Sequence, residues 1–251
     1  MQTDEYLKLA AIEDRLCYFR ALHAHIAREL TRAHLPPHAS LLDVGCGTGG
    51  LILRLAPQHP QHHWTGLDFS ALACDLARQR CPASVTIVEG SATALPFNNA
   101  TFNALVSADV LCQFDDPLPA VLEMFRVLRP GGLAILNVPA YQWLWSYHDA
   151  ATHGKRRYTR PELNAFLRSA GFAIDHITYR SALAFPFIFA KRKLLRGAGD
   201  TSDVKENSPL VETVYSSLAT LESIWFRLGG RFAWGSSVFA VARKPAASPP
   251  H

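Results

Sequence analysis

A glycine-rich loop is the part of this sequence whose residue types and spacing point most directly to chemistry. Residues 41–50, LLDVGCGTGG, place Asp43 and four glycines directly after two apolar residues. This pattern predicts a buried parallel strand that ends in a tight turn, where missing side chains let backbone amides approach a ligand closely. Nineteen residues past Gly49, Asp68 ends a second apolar segment. An acidic residue at about that distance accepts hydrogen bonds from ribose hydroxyls, so the ligand is predicted to be a nucleoside derivative.

With four further motifs in order, the chain resembles the class I S-adenosylmethionine (SAM) dependent methyltransferases over about residues 40–180 and the last strand. The five motifs are 42–49, 66–70, 89–97, 102–117 and 128–132. The loop spacing departs from the G-x-G-x-x-G pattern of dinucleotide folds, which disfavours a nicotinamide-dependent oxidoreductase. The resemblance therefore implies an enzyme with SAM as its cofactor.

The resemblance implies a set of cofactor-binding positions around the glycine loop and the strand ends that follow it. These are Asp43, Gly45, Cys46, Gly47, Gly49, Asp68, Phe69, Ser91, Ala92, Ser107 and Ala108. Asp68 is expected to accept both ribose hydroxyls, although it could also cap the helix that follows. Asp43 either lends negative charge near the amino group of SAM or caps the loop. Ser91 stands where relatives often carry Asp, which weakens one expected contact to adenine.

Candidate substrate and catalytic residues come mainly from the segment after the fifth motif, which resembles a subgroup of small-molecule methyltransferases. The catalytic candidates are His148 and Asp149, and no metal site is expected. The substrate candidates are Tyr18, Gln113, Tyr141, Lys155, Arg156, Arg157 and Tyr158. Gln113 replaces a histidine of many relatives and cannot act as a base. The three adjacent cations 155–157 repel one another, which either an anionic ligand or nearby carboxylates would relieve.

These residues lead to two hypotheses for the methyl acceptor, which is predicted to be small, anionic and partly apolar. The sharper one is C-methylation of an isoprenoid phosphate or diphosphate, with aromatic side chains shielding a carbocation and His148 or Asp149 removing a proton. The alternative is O-methylation of a phenolic or acyl acid, with His148 as the base. A protein that binds SAM without transferring a methyl group stays open as well.

Strands and helices alternate along the chain, which predicts an α/β fold with a parallel sheet covered on both faces. Strands are predicted at 40–44, 64–67, 84–88, 102–107, 132–138, 172–179 and 236–242, and helices at 4–34, 49–56, 70–80, 117–128, 160–170 and 209–228. The resemblance implies a Rossmann-like, doubly wound sheet of seven strands whose last strand is antiparallel.

The chain is predicted to form a single methyltransferase domain, 1–251, because its length and 49% hydrophobic content suffice for one core. Within it we expect an N-terminal helical cover (1–35), the SAM-binding core (40–180), a helical substrate lid (181–235), the last strand (236–243) and a disordered tail (244–251). The lid contains an apolar-then-basic stretch, 185–196, for which contact with a membrane surface is the alternative to a lid.

The charge of the chain is unevenly distributed. Residues 1–150 hold 10 Lys/Arg and 14 Asp/Glu, whereas residues 151–251 hold 15 and 7. No nucleic-acid-binding motif accompanies the basic half, so a nucleic-acid partner is not expected. Five cysteines without C-x-x-C spacing argue against zinc or a disulfide framework, and with no secretory signal they predict a cytoplasmic protein. The oligomeric state is not predicted.

Overall fold

A mixed sheet with helices on both faces organises the protein, as seen in a computed structural model that describes residues 3–193 and 208–246. Its strands are β1 (Ser40–Val44), β2 (His63–Asp68), β3 (Thr86–Glu89), β4 (Phe102–Ala108), β5 (Leu128–Pro139), β6 (Ala173–Arg180) and β7 (Ser237–Arg243). They lie in the order β3-β2-β1-β4-β5-β7-β6, and β7 is antiparallel to both of its neighbours. The predicted seven-stranded, doubly wound sheet with an antiparallel last strand is therefore confirmed.

The helices connect successive strands or cover the sheet. They are α1 (Thr3–Ile12), α2 (Cys17–Arg32), α3 (Gly50–Leu55), α4 (Ala71–Arg80), α5 (Leu118–Val127), α6 (Tyr147–Ala151), α7 (Arg160–Ser169), α8 (Phe185–Lys193) and α9 (Pro209–Arg227). Local sequence sets several starts: Thr159 and Glu162 form a reciprocal capping box at α7, and Ser70 caps α4. Within the described ranges, none of these helices is both long and apolar enough to cross a membrane.

The core consists of two apolar layers, one on each face of the sheet. Leu41 and Leu42 are consecutive in β1, yet Leu41 packs with Phe239 in one layer and Leu42 packs with Leu105 in the other. Because side chains alternate across a strand, a strand covered on both faces has a continuous apolar sequence. The same arrangement brings the ends of β1, β2 and β4 to one edge of the sheet.

The N-terminal region differs from the single helix predicted over 4–34. The helix is interrupted between Ile12 and Cys17, which gives two helices. Helix α1 contacts α4 beside the glycine loop, whereas α2 packs against α3 and α9. At the break, Glu13 is buried and accepts a hydrogen bond from the Thr48 hydroxyl. The break therefore lets a buried carboxylate face the glycine loop, which the helical period of the sequence does not reveal.

The C-terminal boundary also differs from expectation. Lys244, which was predicted to begin a disordered tail, extends the hydrogen bonding of β7 to β5. Its backbone N–H donates to the Gly132 carbonyl, and its own carbonyl accepts from the Gly131 N–H. Its ammonium group donates to the carbonyl oxygens of Phe125 and Leu128, each at 2.9 Å. Residues 247–251 of the predicted tail lie outside the described residues.

Candidate active site

A cavity of about 820 Å³ opens at the carboxyl ends of β1, β2 and β4. Ligands of doubly wound sheets bind at this edge, because the strand order reverses there and leaves a crevice. The sheet contributes the glycine loop, the end of β2 and the segment after β4. The other walls come from α1, α2, α8, α9 and the loop that contains α6. The cavity is therefore bounded by the two segments predicted to cover the core.

The glycine loop forms one wall of the cavity. The backbone N–H groups of Gly45 and Cys46 donate to the Leu67 carbonyl at 2.7 and 2.9 Å, which ties the loop to the end of β2. Gly45 has φ +76°, and a Cβ there would lie 2.2 Å from Val110. Gly47 has φ +53° and borders the cavity, where a Cβ would meet nothing within 4 Å. Glycine is thus required by the turn, and the open side lets a ligand reach the backbone.

Asp68 connects the loop to the start of α4. One carboxylate oxygen accepts from the Gly47 backbone N–H at 2.9 Å and the other from the Ser70 backbone N–H at 3.0 Å. Ser70, rather than Asp68, is the N-cap of α4. Asp68 lines the cavity with lone pairs left on both oxygens, so it can also accept hydrogen bonds from a diol.

Three acidic side chains are close together beneath this loop. Burial, and then the nearby charges of Asp68 and Glu13, raise the pKa of Asp43 to about 8. Burial also raises the pKa of Asp68 and that of Glu13, although Arg80 and Thr48 act in the opposite direction on Glu13. A positively charged ligand would relieve this accumulation of negative charge. These three acidic side chains therefore fit SAM, which carries a positively charged sulfonium and an amino group.

Most of the cofactor positions inferred from the resemblance lie at the cavity wall. Those that line it are Asp43, Gly45, Cys46, Gly47, Asp68, Phe69, Ser91, Ala92 and Ala108. Phe69 is 59% exposed, and the Ser91 hydroxyl is paired with the Thr93 hydroxyl at 2.8 Å. Two positions do not line the cavity. Gly49 is the N-cap of α3, and a Cβ there would lie 2.7 Å from Sγ of Cys81 and 3.2 Å from Cβ of Ala77. Ser107 is buried within β4.

The structure gives Asp149 an architectural role that does not suit the proposed catalytic base. Its two carboxylate oxygens accept from Nε and Nη2 of Arg157 at 2.8 and 2.9 Å, and both side chains are almost fully buried. One of these oxygens also accepts from the Ser146 backbone N–H, which caps α6. A carboxylate committed to a bidentate buried ion pair has little capacity left to accept a substrate proton. Both catalytic candidates, His148 and Asp149, line the cavity.

Each cation of the basic triplet 155–157 has partners within the protein, and Asp115 is shared by Lys155 and by Arg156, whose Nη1 donates to the Asp115 carbonyl at 3.2 Å. Lys155 pairs with Asp115 at 2.5 Å, Arg157 with Asp149, and Arg156 lies over the rings of Tyr158 and Phe166. Lys155 and Arg157 line the cavity, whereas Arg156 does not. Of the two explanations that the sequence left open, nearby carboxylates therefore account for part of the charge of this triplet, and aromatic rings contact Arg156.

Two of the predicted substrate tyrosines also lie away from the cavity wall. Tyr158 is fully buried, and its hydroxyl donates to the Leu111 carbonyl at 2.8 Å. Tyr141 stacks between Tyr179 and Trp143, with ring centroids 5.1 and 5.2 Å apart. Tyr18 and Gln113, by contrast, line the cavity.

A polar cluster centred on Asp109 was missed by the sequence-based reasoning. Its carboxylate accepts from the Tyr18 hydroxyl at 3.0 Å and from the Asn137 amide at 2.9 Å, and Asp109 and Tyr18 both line the cavity. Asp109 has φ +58°, a strained conformation for a residue other than glycine. Nη1 of Arg180 lies 3.5 Å from Oδ1 of Asn137. Asp109 directly follows β4, and that position at the sheet edge was the available signal.

Comparison with known proteins extends these observations. Residues 42–136 match the family described as "Methyltransferase domain". Demethylmenaquinone methyltransferase of Deinococcus radiodurans is 39% identical over 171 residues, covering 66% of this chain and 69% of that protein. The 2-phytyl-1,4-naphtoquinone methyltransferase of Thermosynechococcus vestitus is 35% identical over 135 residues, covering 51% and 60%.

A solved structure is similar in fold. Geranyl diphosphate C-methyltransferase of Streptomyces coelicolor A3(2) superposes with a TM-score of 0.62 at 16% identity, over 90% of this chain and 80% of that one. At that identity the likeness concerns the fold alone. Together, the sheet order, the glycine loop and the matches define the class, and the chain belongs to the class I SAM-dependent methyltransferases. It is an enzyme of the small-molecule type, with SAM as its cofactor.

Proposed function

We propose that this enzyme methylates a phenolic ring of the hydroquinone kind that carries an apolar chain. The proposal rests on one observation: the cavity joins the Asp109–Tyr18 pair to an apolar wall. The apolar wall includes Leu16, Phe19, Leu22, Phe187 and Ile188. Two relatives support the same acceptor class, since their names give demethylmenaquinone and 2-phytyl-1,4-naphthoquinone as the molecules they methylate.

The cofactor side of the site provides alignment. SAM supplies a methyl group already activated by its positively charged sulfur. The glycine loop would hold the methionine and ribose portions through backbone groups, with Asp68 accepting the ribose hydroxyls and Asp43 facing the cationic part. Holding two reactants in line contributes much of the rate in such reactions, so these residues act mainly by positioning.

Asp109 is the residue we assign to proton removal from the acceptor. Burial raises its pKa, while hydrogen bonds from Tyr18 and Asn137 lower it. A carboxylate with a raised pKa is a better proton acceptor than an exposed one. Burial also raises the pKa of the Tyr18 hydroxyl, so Tyr18 stays protonated and acts as a hydrogen-bond donor.

The proton balance of C-methylation follows from these roles. Asp109 takes the phenolic proton, and electron density moves from the oxygen into the ring. A ring carbon then bonds to the methyl carbon as the bond from methyl to sulfur breaks. The hydrogen on that ring carbon leaves as a proton, for which His148 is the candidate acceptor at the cavity wall. Asp109 finally returns its proton to the oxygen.

Two alternative methyl acceptors that the sequence suggested are tested by the same experiment. C-methylation of an isoprenoid diphosphate would need a cationic clamp, and of the basic triplet only Lys155 is both at the cavity and half-exposed. O-methylation of a phenolic or acyl acid would use the same proton acceptor and leave the methyl group on oxygen.

The test uses SAM whose methyl group carries both deuterium and carbon-13. Purified enzyme is incubated with a prenylated hydroquinone, a phenolic acid and a prenyl diphosphate in separate reactions, and products are analysed by mass spectrometry and carbon NMR. A labelled methyl group on a ring carbon of the hydroquinone, formed in step with S-adenosylhomocysteine, is the expected result. Label on oxygen or only in the diphosphate would overturn the proposal, as would SAM binding without any labelled product.

The role of Asp109 is tested by Asp109→Asn, which keeps an oxygen to accept from Tyr18. We expect turnover to fall by about a hundredfold or more, with SAM affinity unchanged. The wild-type rate should rise with pH as Asp109 ionises, and this rise should be lost in the variant. Asp116→Asn is the matched control, because exposed Asp116 only accepts from the Leu118 N–H at the start of α5, and asparagine can do the same. Equal activity in both variants would exclude Asp109 as the base.

A further inference from the structure

An exposed apolar surface lies at the opening of the cavity. Phe187 of α8 is 65% exposed and Val211 of α9 is 48% exposed, yet both also line the cavity. The exposed Trp143 and Phe189 rings contact each other with centroids 6.0 Å apart. Together we refer to six residues as the α8–α9 surface: Trp143, Phe187, Phe189, Leu210, Val211 and Val214.

Helix α9 has two unlike sides. Its inner side is held to the protein: Glu222 accepts from the backbone N–H groups of Ser181 and Ala182, and the Tyr215 hydroxyl donates to Ser181. Its outer side carries an apolar stripe at helical spacing, namely Leu210, Val214, Leu221, Ile224 and Leu228 just beyond its end. Surface helices that face water normally present charged residues there.

The charges of α9 explain why this stripe needs a partner. Its only charged residues are Glu212, Glu222 and Arg227, and the Glu222 side chain is buried. Glu212 accepts from the Cys17 backbone N–H and so faces α2. Only Arg227 therefore adds charge to the exposed side. An exposed apolar stripe of this kind is typical of a surface that binds a partner.

The charge of the sequence near this surface indicates that its binding partner is anionic. The sequence of α8 ends in Lys191-Arg192-Lys193, after phenylalanines at 185, 187 and 189. Residues 151–251 carry 15 basic and 7 acidic residues, whereas the N-terminal part has an acidic excess. Exposed tryptophan and phenylalanine beside Lys and Arg are characteristic of segments that insert at the interface of anionic membranes.

A second copy of the chain fits the same surface less well. In a two-fold dimer the same patch meets itself, which would bring together two copies of α8, a helix whose sequence ends in three consecutive basic residues. A partner seated there would also cover the opening marked by Phe187 and Val211. A bilayer instead places that opening against a medium in which an apolar chain dissolves.

We propose that the α8–α9 surface docks on the surface of an anionic phospholipid bilayer, with the cavity opening towards the lipid. This inference rests on the proposed function for the cargo, since an acceptor with an apolar chain would then enter the cavity from the membrane. Docking itself is independent of turnover and is measured without an acceptor.

The test is co-sedimentation of the full chain with sucrose-loaded vesicles of phosphatidylcholine, alone or mixed with phosphatidylglycerol. The docking variant is Leu210→Glu with Val214→Glu, two positions that do not line the cavity. The matched control is Leu122→Glu, an exposed leucine of α5 that also lies outside the cavity wall. A rise in melting temperature on adding SAM shows that each variant is folded.

Wild type and the Leu122 variant should pellet with the anionic vesicles, less so at high salt, and hardly at all with phosphatidylcholine alone. The docking variant should bind at least about tenfold more weakly. Wild type that stays in the supernatant, or a docking variant that binds like wild type, would overturn the inference. Light scattering that shows a dimer, dissociated by the docking variant, would assign the surface to a second copy instead. Vesicle binding without methylation of any hydroquinone would contradict the proposed function alone.

Discussion

Removing one partner of the buried Asp149–Arg157 pair should destabilise the fold strongly. In Asp149→Ala, the Arg157 guanidinium stays at 3% exposure and loses the acceptors of its Nε and Nη2 groups, keeping the Ala140 carbonyl at 3.0 Å. Removing the carboxylate partner of a buried charge costs about 3–5 kcal/mol, and the lost capping interaction of α6 adds about 1 kcal/mol. At roughly 2–4 °C per kcal/mol for a domain of this size, the melting temperature should fall by about 10–20 °C.

The measurement is thermal and urea unfolding of purified variants. Asp149→Leu combined with Arg157→Met removes both charges and should recover most of the lost stability, because no ion is then left buried alone. The matched control is Asp175→Ala, whose partner Arg243 lies 2.9 Å away in an ion pair that is more than a third exposed. That variant should lose less than about 1 kcal/mol.

One outcome would refute this reasoning. If Asp149→Ala unfolds like wild type but has lost turnover, Asp149 acts in the chemistry and its pairing with Arg157 contributes little to the fold. If the apolar double variant is stable and active, the pair is architectural and the catalytic role predicted for Asp149 is excluded.

Two further predictions concern protons. Because the pKa of Asp43 is about 8 and a cationic ligand favours its ionised form, SAM binding at pH 7 should release protons, and affinity should rise as pH approaches 8. Calorimetry in two buffers of different ionisation enthalpy measures this release; Asp43→Asn should abolish it, and equal release by both proteins would contradict the assignment. Burial lowers the pKa of His23 to about 3 from 6.5, so the unfolded chain takes up a proton first. The free energy of unfolding should therefore fall as pH drops from 6.5 towards 3, by up to about 1.4 kcal/mol per pH unit. Urea unfolding across this range should show a flatter acid limb for His23→Gln, and an unchanged limb would show that His23 does not cause it.

Local patterns in the sequence were sufficient for the cofactor edge of the sheet. The glycine loop and Asp68 follow directly from two strands whose apolar residues define them, so spacing alone brings them together once the strands pair. The Gly47 N–H to Asp68 contact at 2.9 Å is the direct consequence. Similarly, the capping residues of α7 lie three positions apart, and their role can be read from that interval.

The partners of charged side chains could not be read in this way. Lys155, Arg156 and Arg157 are adjacent in sequence, which suggested either a common anionic ligand or pairing with nearby carboxylates. The fold turns them towards Asp115, the Tyr158 and Phe166 rings, and Asp149 respectively. Adjacent residues of an irregular segment can face different directions, and the sequence contains no period that tells which direction each one takes.

The sequence by itself determined the fold class and the residues at the ends of β1 and β2, because these depend on short-range spacing and on apolar periodicity. The cofactor followed from the resemblance of its motifs to those of the class I SAM-dependent methyltransferases. Only the tertiary structure decided which side chains meet in the acceptor cavity. Tyr18 and Asp109 are 91 positions apart, and Cys17 and Glu212 are 195 apart. Contacts over such distances depend on the strand order and on the position of the turn between α1 and α2. Burial then shifts the pKa of the groups that these contacts bring together.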